Sequence, residues 1–91
     1  MSSFNLNTYV IGGPENIQER HLLPSETKSE ALVRFVDIFS SLGLDVFQLR
    51  FKNSSDDDFL KLANEIVQVL KNTNCKLCIN DNVQIVNKLG N

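Results

Sequence analysis

Three short runs of β-branched, aromatic and apolar residues alternate with stretches of helical period. That alternation leaves few architectures open. Thr8 to Ile11 reads as a first strand, stopped by Gly12-Gly13-Pro14. From Glu15 to Pro24 the chain is polar and irregular, anchored by Leu22-Leu23. Ser25 is placed to cap the helix that follows, with Glu26 in its first turn. Leu32, Phe35, Val36 and Phe39 repeat at three and four, Ala31, Ile38 and Leu42 widen the stripe, and Gly43 supplies a helix end. After a second strand, Asn53 to Asp58 turns into a helix with Phe59, Leu62, Ala63, Ile66, Val67 and Leu70 on one stripe. Leu77-Cys78-Ile79 is the third strand, closed by Asn80-Asp81. Asp81 then caps a short helix that buries Val83, Ile85, Val86 and Leu89 before Gly90. The order βαβαβα implies a parallel sheet joined by right-handed crossovers, in an α/β fold.

The second strand carries the chemistry. In Asp45-Val46-Phe47-Gln48-Leu49-Arg50-Phe51-Lys52, period-two alternation puts Val46, Gln48, Arg50 and Lys52 on one face. Phe47, Leu49 and Phe51 take the other face and are expected to pack under a helix. An amide, a guanidinium and an ammonium in one row suit a phosphate or pyrophosphate, the Arg through its planar fork and the Lys as a point charge. The plainer reading is an edge strand whose cations guard against aggregation. Neighbouring elements weigh against it. Ligands of parallel sheets bind at the C-terminal ends of the strands. Gln48, Arg50 and Lys52 fall at that end of one strand, and Asn80 and Asp81 at that end of the next.

Composition bounds the function classes. Ninety-one residues make one small domain or part of a larger one. A net charge of -2 argues against a nucleic-acid module, which would show an excess of cations on one face. No run approaches membrane-spanning length, and the N-terminal residues lack a signal-peptide pattern, so a cytoplasmic location without membrane contact is expected. Cys75 and Cys78 form a C-x-x-C, but inside a strand rather than on a turn opening a helix, and a second pair for zinc is absent. Two buried, reduced thiols are the expectation. His21, the only histidine, is read as an incidental loop residue, and Asp56, Asp57 and Asp58 as cap and first-turn acids rather than a metal site.

Gln48-Leu49-Arg50-Phe51-Lys52, followed after one helix by Ile79-Asn80-Asp81, closely resembles thiamine-phosphate synthase, a (β/α)8 TIM barrel. Its second strand carries Q-[LF]-R-x-K and its third ends in [IV]-N-D. Thr8 to Pro14 is similar to a Y-[FV]-I-G-G variant of the family's first strand, and the connection through Leu23-Pro24 fits that variant too. The resemblance implies that residues 1–91 form the first three βα units of such a barrel. It also implies that Gln48, Arg50, Lys52 and Asn80 hold hydroxymethylpyrimidine pyrophosphate, and that Asp81 ligates the Mg²⁺ on its diphosphate. Thiazole phosphate is the second implied substrate, condensing to give thiamine phosphate and pyrophosphate. The related thiazole tautomerases usually carry His where this chain has Gln48, which favours the synthase reading.

The family's fourth-strand V-H-[LV]-G-Q segment and its later phosphate-binding loops are missing from these residues. A full barrel takes ~250 residues. The expectation is therefore an N-terminal part of a synthase, inactive alone, whose partner is a C-terminal half or another copy. Two alternatives stand beside it: a non-catalytic phosphate-ligand-binding remnant, and a small flavodoxin-type domain. The latter is disfavoured because Gly12-Gly13 leads to Pro14 rather than to a phosphate-cradling helix start.

Overall fold

The computed structural model describes residues 8–79. Three parallel strands, β1 (Tyr9–Gly12), β2 (Val46–Leu49) and β3 (Lys76–Ile79), alternate with two helices, α1 (Lys28–Ser41) and α2 (Asp56–Leu70). The strands lie in the order β1-β2-β3, with Ile11 opposite Gln48 and Gln48 opposite Cys78. This sequential order differs from the 2-1-3 start of a flavodoxin sheet and is compatible with part of a TIM-type barrel. The third helix expected after Asp81 lies outside the described residues.

Both helices cover the same face of the sheet. Phe47 and Leu49, two residues apart on β2, are buried with Ala31, Leu32 and Val36 of α1 and with Phe59, Leu62, Ala63, Ile66 and Leu70 of α2. The α2 stripe follows the sequence expectation closely, with Val67 at its half-buried margin. In α1 the buried stripe is narrower than expected: Ile38, Phe39 and Leu42 are all exposed, and Phe39 stacks on the half-buried Phe35. Gly43 ends α1 as expected, with φ +105, while the Leu44 amide donates back to the Phe39 carbonyl.

The start of α1 differs from the sequence reading by two residues. Thr27, not Ser25, is the N-cap: its hydroxyl accepts from the Glu30 amide at 3.1 Å, and the Glu30 carboxylate accepts from the Thr27 amide at 2.8 Å. Thr-Lys-Ser-Glu satisfies two orphan donors reciprocally, whereas Ser25 has Lys28 three residues on and no such return bond. Ser25 instead takes a left-handed conformation (φ 64) in the preceding turn. In α2, Ser55 caps the Asp58 amide and all three aspartates fall in the first turn, as the dipole favours.

Candidate functional site

The opposite face of the sheet carries no helix among the described residues. It presents Tyr9 and Ile11 from β1, Val46 and Gln48 from β2, and Lys76 and Cys78 from β3. Gln48 sits at its centre and is 9% exposed, whereas Tyr9 and Ile11 are each about half exposed. The Tyr9 hydroxyl donates to Oε1 of Gln48. Partial removal of that hydroxyl from water, with the neighbouring Cys78 thiol, pushes the Tyr9 phenol above its ordinary value.

β2 is shorter than its alternation predicts. It ends at Leu49, although the Arg50 amide still donates to the Gly12 carbonyl at 2.9 Å and extends the ladder by one step. Lys52 lies in a turn rather than on the strand. Asn53, at φ 59, and a hydrogen bond from the Ser54 hydroxyl to the Phe51 carbonyl redirect the chain towards α2. Phe51 keeps its place on the helix side, stacked on Phe59. Gln48, Arg50 and Lys52 thus follow one another across the C-terminal end of β2, the amide enclosed and both cations exposed. Asn80 and Asp81 lie outside the described residues.

The loop after β1 seats itself on this segment. A Cβ on Gly13 would fall 1.8 Å from the Arg50 carbonyl oxygen, so only glycine allows the two backbones to approach this closely. Asn16 fixes the turn by accepting from the Gly13 amide at 2.9 Å. Sequence reasoning read Gly13 as a strand stop and missed both this contact and Tyr9. Tyr9 shares strand parity with Ile11, but only the register reveals that its hydroxyl meets Gln48.

The cysteine expectation holds for one thiol. Cys75 is buried, and burial pushes its thiol up; Cys78 is exposed, because it points to the face that neither α1 nor α2 covers. His21 lies in a single 3-10 turn (Glu19–His21), where its Nδ1 accepts from the Gln18 amide and its ring meets Phe35 edge-on at 5.9 Å. Among the described residues no three His, Cys, Asp or Glu side chains gather as a metal-binding set.

The family model described as thiamine monophosphate synthase matches residues 21–91. The chain belongs to that family. Comparison with curated proteins and with solved structures finds no match. The family match begins at His21 and takes in α1, the Gln48 to Lys52 segment and β3. The first strand, with Tyr9, and Gly13 in the loop after it precede the match. No helix among the described residues is long and apolar enough to cross a membrane.

Proposed function

We propose that this chain supplies the pyrimidine-pyrophosphate side of a thiamine-phosphate synthase site. The placement of Arg50 and Lys52 at the C-terminal end of β2, beside the enclosed Gln48, carries the reading. In this reading Gln48 and Asn80 orient hydroxymethylpyrimidine pyrophosphate, and the two cations hold its diphosphate. The bond between the pyrimidine methylene and the diphosphate oxygen breaks first, pyrophosphate leaving with the electron pair, and the thiazole nitrogen then bonds to the resulting methylene cation. Negative charge grows on the leaving group, and cations fixed beforehand stabilise it. Asp81 is the proposed ligand for Mg²⁺, which when bound neutralises diphosphate charge.

The three strands are, on this proposal, consecutive strands of a (β/α)8 barrel, with the helix-free face turned to its interior. Purely parallel sheets occur almost only with both faces covered. A barrel meets that requirement while leaving Gln48 accessible from the strand ends.

Calorimetric titration of the 91-residue chain with hydroxymethylpyrimidine pyrophosphate tests the reading, with and without magnesium. Hydrogen bonds to charged groups contribute about 1.5–3 kcal/mol, so Arg50→Ala is expected to weaken binding by about 10- to 100-fold. Lys52→Ala should weaken it as well, and added salt should weaken binding to the unaltered chain. No binding, or equal binding by Arg50→Ala, overturns the proposal. Turnover by these 91 residues alone is not expected, and measurable thiamine phosphate formation would refute that part.

A further inference from the structure

The Tyr9–Gln48 hydrogen bond crosses from β1 to β2 diagonally. Tyr9 is paired with Val46 and Gln48 with Ile11, so the hydroxyl reaches one two-residue step along the same face. That diagonal is within the span of an aromatic side chain. It also orients the amide. A glutamine side chain accepts at its oxygen and donates at its nitrogen. With the phenol donating to one lone pair of Oε1, the amide is held by its oxygen end and Nε2 remains as its donor end. Among the described residues no fully buried side-chain polar atom lacks a partner, so Nε2 is not an orphaned buried donor.

We propose that Tyr9 is a positioning residue: its hydroxyl holds the Gln48 amide with Nε2 outward, so that the site selects a hydrogen-bond acceptor on the substrate at that point. A pyrimidine ring nitrogen or a diphosphate oxygen meets this requirement. A loose glutamine could turn either end to a ligand and would lose rotamer freedom on binding it; a glutamine already held loses less. Close enclosure of Gln48 beside a half-exposed Tyr9 fits this division, since the phenol serves as a wall and clamp for the amide. The proposal rests on the reading of Gln48 as a substrate contact.

A double-mutant cycle tests it, with hydroxymethylpyrimidine pyrophosphate binding measured on the 91-residue chain and its Tyr9→Phe, Gln48→Ala and doubly substituted forms. A neutral hydrogen bond is worth about 0.5–1.5 kcal/mol, so Tyr9→Phe is expected to weaken binding about 2- to 10-fold. The double variant should bind as Gln48→Ala does, because Tyr9 acts only through that amide. Tyr9→Phe combined with Arg50→Ala should instead show losses that multiply, which a general loosening of the sheet would not distinguish from the Gln48 pair. Multiplying losses for Tyr9 and Gln48, or no loss in Tyr9→Phe where Gln48→Ala binds weakly, overturns the positioning role and leaves the substrate contact standing. Unchanged binding by Gln48→Ala, or no binding by the unaltered chain, overturns both.

Discussion

Arg34 ties two points of the long connection, His21 and Glu26, to α1. Its Nε and Nη2 donate to the two oxygens of Glu26 at 2.9 and 2.8 Å, and Nη2 also donates to the His21 carbonyl at 2.8 Å. The guanidinium carbon lies 4.8 Å from the centre of the Phe35 ring. This forked pairing holds the Glu26 carboxyl down to about 2, helped by the Leu23 amide that donates to it. A carboxyl depressed in the folded state adds stability above its unfolded value, and that stability is lost as pH falls through the folded value. Glu26→Gln should therefore melt below the unaltered chain at pH 7. The gap should close on acidification from about 4.5 towards about 2, the two values between which the carboxyl is shifted. A gap in melting temperature that stays constant over that range would show that Glu26 acts through packing rather than charge. Sequence gave little warning of this pair. Glu26 and Arg34 are eight residues apart with a helix start between them, so helical spacing does not bring them together, and the sequence pattern puts Glu26 in the first turn instead.

At the scale of elements, periodic signals were readable and junctions were not. Phe59, Leu62, Ala63, Ile66 and Leu70 could be placed on one buried stripe because a helix face repeats regularly. Strand ends depend on what the next turn does. The Gln48, Arg50, Lys52 alternation therefore placed Gln48 correctly beside the sheet's open face but carried Lys52 past the true end of β2. Cys78 shows the same limit: its residue type favours burial, but its exposure follows from which face the helices cover. The join between β1 and β2 has its own prediction. Gly13→Ala would drive a methyl into the Arg50 carbonyl, and backbone cannot give way as a side-chain tip can. The expected loss is about 1–3 kcal/mol, as for other overpacked sites. Because Arg50 must move, pyrophosphate-ester binding should weaken together with stability. A Gly13→Ala chain with unchanged denaturation midpoint would mean that the two loops separate without cost.

Among the described residues one sheet face is a packed core and the other is left uncovered by α1 and α2. The two cysteines report on them separately. Cys75 is buried, and burial raises its thiol, so its reactive thiolate is scarce and hard to reach. Cys78 stands exposed directly opposite Gln48 in the sheet register. A ligand seated at Gln48 and the cations of the β2 end should cover Cys78 and leave Cys75 untouched. Iodoacetamide labelling of the folded chain, followed by peptide mass spectrometry, is expected to modify Cys78 first. With hydroxymethylpyrimidine pyrophosphate at ten times its dissociation constant, only about one molecule in eleven is free, so Cys78 labelling should slow about tenfold. Protection that disappears in Arg50→Ala at the same ligand concentration would tie the effect to the β2 site rather than to a general tightening of the chain. Equal Cys78 labelling rates at saturation would place the ligand away from the open face, and with it the assignment of Gln48 as a contact would fall.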